Sequence, residues 1–193
     1  MFLLVGLGNP SLANSKNRHN IGFMAVDRIA ICYGFIGWQL KFHARVSEGI
    51  IGKERILILK SETFMNLSGK AVFEATRFYK IEPSRVIVFH DDLNLPIGNV
   101  RIKKNGGAGG HNGLRSIDAN IGSDYWRIRL GIGHPGHTDL VTSWVLGDFS
   151  KIDELWLIPL LDTVVMHLPL LISGNEVEYS SVLTNDSSKT IKR

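Results

Sequence analysis

Short apolar runs alternate with longer segments of helical period along most of this chain. A strand is predicted where apolar residues are continuous or alternate, and a helix where they recur every three or four positions. The predicted strands cover residues 2–7, 56–59, 86–89, 100–102 and 127–132. The predicted helices cover residues 20–34, 68–79, 111–121, 138–146 and 152–172. This order favours an α/β fold, a single-domain layered arrangement with a twisted, mostly parallel central sheet flanked by helices.

The size and composition fit one soluble domain. The chain has 193 residues, of which 44% are hydrophobic and 21% are charged. We expect residues 1–183 to form the domain and the polar residues 184–193 to form a flexible C-terminal tail. Cys32 is the only cysteine, which excludes an internal disulfide and a cysteine-rich zinc site.

No targeting or membrane segment is predicted. Residues 1–5 reach Gly6 without a basic leader or a long apolar core, unlike a signal peptide. The most apolar stretch, 155–172, contains Asp162 and His167 as well as two prolines, which are costly in a helix that faces lipid. A buried or amphipathic helix is expected there, in a cytoplasmic protein without membrane contact.

The distribution of positive charge adds a candidate partner. The net charge is +4, and cations lie on both sides of a glycine-rich run at 106–113. These cations are Arg101, Lys103, Lys104, Arg115, Arg127 and Arg129. Such groups suit a nucleic-acid phosphate backbone, although many basic proteins bind no nucleic acid.

Four polar clusters lie close to the ends of predicted strands. They are residues 6–10 with 18–20, 63–66, 90–92 and 106–113. Five glycines in the last cluster require a backbone reason, either positive φ or the close approach of a ligand. Ligands of parallel sheets bind beyond the carboxyl ends of the strands, so we expect the clusters to meet at one rim.

These clusters favour a hydrolytic site that needs no metal. Asp91 could bond one ring nitrogen of His19, fix its tautomer and raise its basicity, leaving the other nitrogen to accept a proton from water. Asn9 and Asn66 could donate amide hydrogens to a carbonyl oxygen, and the glycines beside Asn112 leave room for a substrate.

Structural alternatives stay open for each candidate. A lone histidine is more often a surface or core residue, and Asp91 and Asp92 could be turn residues, of which at most one is expected to face the site. Asn9 could belong to a turn, and Asn66 could start a helix. The sequence lacks a Gly-x-Ser-x-Gly elbow, closely paired zinc-binding histidines and a complete dinucleotide fingerprint, which leaves water as the nucleophile.

Six sequence blocks resemble, in the same order, the bacterial-type peptidyl-tRNA hydrolases. They are GLGNP at 6–10, RHNIG at 18–22, TFMNLSG at 63–69, HDDLNLP at 90–96, GGHNGL at 109–114 and RIRLGIGHP at 127–135. The resemblance extends from about residue 2 to residue 149 and continues weakly through the last predicted helix.

The resemblance implies a monomeric, cytoplasmic esterase without a metal or other cofactor. The implied reaction is hydrolysis, by a histidine-activated water, of the ester between a peptide and the 3′-terminal ribose of tRNA, which recycles tRNA from aborted translation. The implied partner is peptidyl-tRNA, bound through its acceptor end and its phosphate backbone. His19 matches the family's catalytic base, and Asp91 matches the carboxylate that orients it.

The resemblance also assigns substrate contacts. Asn9 and Asn66 match the asparagines that position the peptidyl end, and Asn112 matches one that holds the substrate and the attacking water. The matches to other residues lining the same cleft are Met65 and His111. The matches to a basic pair that clamps a tRNA phosphate are Lys103 and Arg129.

The chain departs from the family pattern at four positions. Ser11 stands where Gly is usual, Asn14 where Tyr is usual and Asn17 where Thr is usual, so the loop 11–17 and its contacts to the peptide are expected to differ. Asn94 replaces an acidic residue and removes one negative charge near Asp91.

Two other functions fit parts of the pattern. An RNA-binding protein on the same fold could have lost catalysis, although His19 and Asp91 argue against that interpretation. A small-molecule amidase could use the same cleft, but it would not need Lys103 and Arg129.

Overall fold

The computed structural model describes residues 1–190, with side chains through residue 185. Its strands are β1 (Phe2–Gly6), β2 (Gln39–Lys41), β3 (Ala44–Ile51), β4 (Glu54–Ser61), β5 (Val86–Asp92), β6 (Val100–Lys104) and β7 (Trp126–Gly131). Its helices are α1 (Ile21–Cys32), α2 (Ser68–Tyr79), α3 (Asn112–Ile121), α4 (Val141–Val145), α5 (Glu154–Met166), α6 (Leu168–Ile172) and α7 (Glu176–Thr190).

The described residues form one seven-stranded sheet in the order β2-β3-β4-β1-β5-β7-β6. The four central strands β4, β1, β5 and β7 are parallel, whereas β2, β3 and β6 pair antiparallel at the edges. Helices cover both faces, so the predicted layered α/β fold with a mostly parallel centre is confirmed.

Alternation along the central strands builds a core on each face. Leu4 packs on the side of α1, α5, α6 and α7, while Leu3 and Val5 pack on the side of α2 and α3. All three side chains have no solvent exposure. The sheet is therefore buried on both faces, as a parallel sheet requires.

The strands β2 and β3 were missing from the sequence-based prediction. Phe42 and His43, which join them, both have positive φ (58° and 54°). Consecutive positive φ values are typical of the tight hairpin turn that usually contains Asn-Gly or Asp-Gly. The aromatic pair gives no such signal, and the exposed strand β2 lacks a buried face.

The C-terminal helices differ in their boundaries from the prediction. The single helix predicted over 152–172 is interrupted at His167, and Pro169 lies in the first turn of α6. The division predicted at residue 183 stays a prediction. The tail predicted over 184–193 overlaps α7 through Thr190, and residues 191–193 lie outside the described part.

One stretch of the described chain, Glu154–Ile172, is long and apolar enough to cross a membrane by length and composition alone, and 44% of it is buried within the protein. Side chains of α5 and α6 such as Leu160, Val164 and Leu168 are almost fully buried in the core. This packing is typical of a core helix and agrees with the buried or amphipathic helix predicted there.

Candidate active site

The close approach of α1 to the sheet places the first polar clusters together. A Cβ atom on Gly22 would clash with the carbonyl oxygen of Phe89 and lie 2.6 Å from the backbone nitrogen of Leu7. Only glycine therefore allows the start of α1 to lie against the ends of β1 and β5. This contact brings the turn Arg18–Asn20 next to the end of β5.

Three side chains from distant parts of the sequence meet at the end of β5. Asp91 Oδ1 lies 2.8 Å from His19 Nδ1 and 2.9 Å from His111 Nε2. The centroids of the two imidazole rings are 5.0 Å apart. The Asp91 side chain is only 3% exposed, so little water reaches its charge. The two ring N–H groups take the place of water as hydrogen-bond donors to the carboxylate.

Burial and charge act in opposite directions on this cluster. Desolvation lowers the pKa of His19, but the charge of Asp91 and its hydrogen bond outweigh this effect, so the pKa is raised above its ordinary value. Desolvation would raise the pKa of Asp91, but His111 and His19 hold it well below its usual range. The carboxylate therefore stays ionised and accepts both bonds.

Asn9 is fixed by a reciprocal pair of bonds that the sequence analysis missed. The backbone N–H of Asn9 donates to Asn20 Oδ1 (2.8 Å), and Asn20 Nδ2 donates to the Asn9 carbonyl (3.0 Å). The Met65 N–H donates to Asn9 Oδ1 (3.0 Å). The side-chain oxygen of Asn9 is thus occupied, so its NH₂ group is the part available to a ligand. Asn20, 2% exposed, had no signal beyond its place beside His19.

Asn66 and Asn112 belong to two neighbouring segments that border this centre. Both are exposed and line the cleft, Asn66 after β4 and Asn112 at the start of α3. Arg115 Nη1 donates to Asn112 Oδ1 (3.3 Å). Met65 is 5% exposed. A Cβ atom on Gly113 would lie only 2.6 Å from its sulfur, so Met65 packs closely against the start of α3.

The cleft has a volume of about 1040 Å³ and crosses the rim of the sheet. All nine residues predicted from the sequence to form the site line it, namely Asn9, His19, Met65, Asn66, Asp91, Lys103, His111, Asn112 and Arg129.

The glycine run has backbone angles that favour glycine. Gly106, Gly109 and Gly110 have φ of 109°, 57° and 85°. Positive φ explains part of the glycine run, and no atom lies within 4 Å of a Cβ built on Gly107, Gly109 or Gly110.

Asp92, at the basic edge of the cleft, has a supporting role that the sequence did not predict. Arg129 Nε donates to Asp92 Oδ2 (2.7 Å), and the Asn94 N–H donates to Asp92 Oδ1 (2.8 Å). Asp92 thus orients Arg129, while Lys103 is exposed on β6. Asp91 and Asp92 make different contacts, but both line the cleft, although alternation along a strand led us to expect that at most one would face the site.

Arg127 is buried and is not available to a phosphate, so the prediction that both arginines of β7 suit a phosphate is wrong for this residue. Its side chain is 2% exposed and bonds to Asp118 Oδ1 (2.9 Å) and the Gly106 carbonyl (2.9 Å). Its guanidinium carbon lies 4.0 Å from the centre of the Tyr125 ring. Arg127 therefore supports the glycine loop from below and has a structural role.

A second set of contacts anchors the turn that carries His19. Asn17 Nδ2 donates to Asp148 Oδ1 (2.7 Å), and Arg18 pairs with Asp153 (3.3 Å). The Arg18 guanidinium also lies 4.1 Å from the centre of the Trp144 ring. The unusual Asn17 thus gains a partner in the loop after α4.

The cluster of His19, Asp91 and His111 has the composition of a metal-binding group. One potential ligand atom from each lies within 4.8 Å of the others. In the structure these same atoms are joined by the hydrogen bonds at 2.8 and 2.9 Å. A cation would have to replace both bonds, so the geometry favours proton chemistry at this centre.

Comparison with known proteins identifies the family to which the sequence is similar. The model of the peptidyl-tRNA hydrolase family matches residues 3–191. A peptidyl-tRNA hydrolase of Rhodospirillum centenum is 56% identical over 181 residues, covering 94% of this chain and 80% of that protein. One from Bradyrhizobium diazoefficiens is 53% identical over 181 residues, covering 94% of this chain and 90% of that protein.

A solved structure gives the same result at lower identity. The crystal structure of peptidyl-tRNA hydrolase from Acinetobacter baumannii superposes with a TM-score of 0.91 at 36% identity, covering 95% of this chain and 94% of that one. The resemblance seen in six sequence blocks is therefore confirmed over nearly the whole chain. On this evidence, the chain belongs to the peptidyl-tRNA hydrolase family.

Proposed function

We propose that this protein hydrolyses the ester between the peptide and the 3′-terminal ribose of peptidyl-tRNA with a water molecule activated by His19. The observation that carries the proposal is the 2.8 Å bond between His19 Nδ1 and Asp91 Oδ1 inside the cleft. An ionised carboxylate only accepts hydrogen bonds, so Nδ1 carries the ring proton and Nε2 is left as the base.

The reaction begins with the transfer of a proton from water to His19 Nε2. The water oxygen attacks the ester carbonyl carbon, and a tetrahedral intermediate forms with negative charge on the former carbonyl oxygen. When the intermediate collapses, the bond to the ribose 3′-oxygen breaks and that oxygen takes the proton from His19. The products are a tRNA with a free 3′-hydroxyl and a peptide carboxylic acid, which loses its proton to solvent and becomes a carboxylate. A positioned base of this kind contributes about 10²–10⁴ in rate.

Three asparagines supply hydrogen bonds to the reacting group and its peptide. The NH₂ group of Asn9 is the available half of its amide, because Met65 N–H occupies the oxygen. Asn66 positions the peptidyl end together with Asn9, while Asn112 holds the substrate and the attacking water. Amide contacts to peptide backbone tolerate any peptide sequence, which suits an enzyme that must accept diverse peptides.

The two ends of the cleft receive different parts of the substrate. Asn66 follows β4 and Lys103 lies on β6, and these two strands lie on opposite sides of β1 and β5 in the sheet. Lys103 and Arg129 bind a tRNA phosphate at the β6 end, so the peptide lies towards β4. His111 and Met65 line the centre between them.

The same proposal covers the cellular role. The protein acts in the cytoplasm as a monomer and returns tRNA from aborted translation to use. All nine proposed site residues line a single cleft within one chain, which supports a site that is complete in one subunit.

The test is peptide release from an N-blocked aminoacyl-tRNA in H₂¹⁸O with a chelator present. We expect rapid cleavage by the wild type, with one ¹⁸O entering the peptide carboxylate, and a loss of about 10²–10⁴ in rate for His19→Ala. Binding without cleavage by the wild type would indicate an RNA-binding protein. Cleavage that is unaffected by His19→Ala would refute the proposed base.

A further inference from the structure

His111 makes contacts of two opposite kinds through its two ring nitrogens. The backbone N–H groups of Gly113 (3.1 Å) and Leu114 (3.4 Å) donate to Nδ1, so His111 caps the N-terminus of α3. Nε2 lies 2.9 Å from Asp91 Oδ1. One ring thus connects the end of a helix to the carboxylate of the catalytic centre.

These partners determine the tautomer of His111. A backbone N–H can only donate, so Nδ1 must present its lone pair, and the ionised Asp91 can only accept, so Nε2 must carry the proton. His19 donates to the same oxygen through Nδ1 (2.8 Å). Asp91 Oδ1 therefore accepts from two ring N–H groups at once.

We propose that His111 is a positioning residue that shares Asp91 Oδ1 with His19 and thereby limits how strongly this carboxylate holds the proton on His19. The proposal rests on the proposed function of His19 as the base. A base held too tightly to its carboxylate would stay protonated at neutral pH and could not accept a proton from water. The second donor keeps the carboxylate in place without this penalty.

The other charged groups nearby are engaged elsewhere. On β5, His90 Nδ1 donates to the Asp91 carbonyl (2.8 Å), and burial lowers the pKa of His90 to about 4, so it is neutral in the working range. Asp92 is paired with Arg129 of β7. Arg18, beside His19, pairs with Asp153 in the segment that precedes α5. Among the described residues, Asp91 is thus the carboxylate that contacts both rings.

Removing the second donor should change the pKa of His19 in a defined direction. Without the N–H of His111, Asp91 Oδ1 bonds to His19 alone and stabilises its protonated form more strongly. The pKa of His19 then rises further, and the acid limb of the kcat/KM profile moves to higher pH. A residue with only a structural role would lower activity at every pH and leave the acid limb in place.

Two substitutions separate the two contacts of His111. In His111→Asn the amide oxygen can replace Nδ1 as the helix cap, but the side chain is too short to reach Asp91. In His111→Gln the amide N–H can replace Nε2 as the donor to Asp91, while the cap is lost. Each variant is therefore the control for the other.

The experiment measures the pKa of His19 by NMR of ring-labelled histidine, with the His19→Ala spectrum for assignment, together with the pH profile and Tm. We expect His111→Asn to raise the pKa of His19 and the acid limb by about half a unit to one unit with little change in Tm. We expect His111→Gln to keep the pKa of His19 and the acid limb near their wild-type values but to have a lower Tm.

Two results would overturn the proposal. One is an unchanged pKa of His19 in His111→Asn, and the other is the same shift in both variants. The NMR measurement needs no turnover, so it decides the role of His111 separately from that of His19. If His19→Ala still cleaves the substrate, the proposed base fails, and the shared carboxylate is still decided by the titration.

Discussion

The centre of the cleft and its basic edge hold charge in different ways. At the centre, the 3% exposed Asp91 accepts bonds of 2.8 and 2.9 Å from two rings. At the edge, Lys103 is exposed and Arg129 is 28% exposed, with a bond of 2.7 Å to Asp92. A buried group held by two hydrogen bonds suits a proton transfer of fixed geometry, whereas more exposed cations suit reversible binding of a phosphate. Changes at the centre should therefore lower kcat, and changes at the edge should raise KM.

Apart from loss of the base itself, the largest expected effect is that of Asp91→Asn. Loss of the carboxylate removes the charge that raises the pKa of His19, so the acid limb of kcat/KM should move to lower pH. The amide of Asn can present either its oxygen or its NH₂ group to His19, so the tautomer is no longer fixed, and kcat should fall by about 10²-fold or more. A pH–rate series measures both effects. An acid limb at its wild-type position would separate Asp91 from the proposed base.

The second prediction compares Arg127 with Arg129 on the same strand. Arg127→Met removes the donor to the Gly106 carbonyl and leaves Asp118 with Tyr125 alone, and we expect a loss of about 2–4 kcal/mol in the free energy of unfolding. Arg129→Met should cost less than about 1 kcal/mol, because its pair is partly exposed. Urea unfolding of both variants tests this difference. Equal losses would show that the burial of Arg127 is energetically unimportant.

The third prediction concerns the proposed phosphate clamp. Lys103→Gln and Arg129→Gln should raise KM for the tRNA substrate and leave kcat nearly unchanged. Each lost phosphate contact should lower the slope of log KM against log salt by about one. The matched control is Lys151→Gln, an exposed cation that is not among the cleft residues. If all three variants keep the wild-type salt slope, the clamp lies elsewhere.

The smallest expected effect is that of Asn94→Asp, which restores the acidic residue usual in the family. Asn94 lines the same cleft as Lys103 and Arg129, so an added negative charge should raise KM by less than about threefold at low salt. High salt should remove the difference, and the neutral Asn94→Gln should not show it. A lower KM for Asn94→Asp would contradict this electrostatic explanation.

The sequence predicted the centre of the fold better than its edges. Continuous apolar runs identified β1, β4 and β5, because buried parallel strands have a strong hydrophobic signal. The hairpin β2–β3 escaped prediction since its turn uses Phe42 and His43 at positive φ. The sequence also grouped Arg127 with Arg129 among the cations suited to a phosphate, because a charge pattern carries no information on how deeply a side chain is buried.

The same limit applies to the site. Motifs identified side chains whose chemistry is distinctive, such as His19 and Asp91, and the structure brings them within 2.8 Å. The supporting residues Asn20 and Asp92 act through bonds to Asn9 and Arg129, which depend on the folded chain. Sequence patterns do not report such pairings between distant segments.

The most direct measurement of the difference between centre and edge is a single-turnover experiment on His19→Ala with an N-blocked aminoacyl-tRNA. We expect the Kd for the substrate to stay within about threefold of the wild-type value while the cleavage rate falls by about 10²–10⁴. Cleavage at the wild-type rate, or a loss of binding as large as the loss of rate, would contradict a catalytic role for His19.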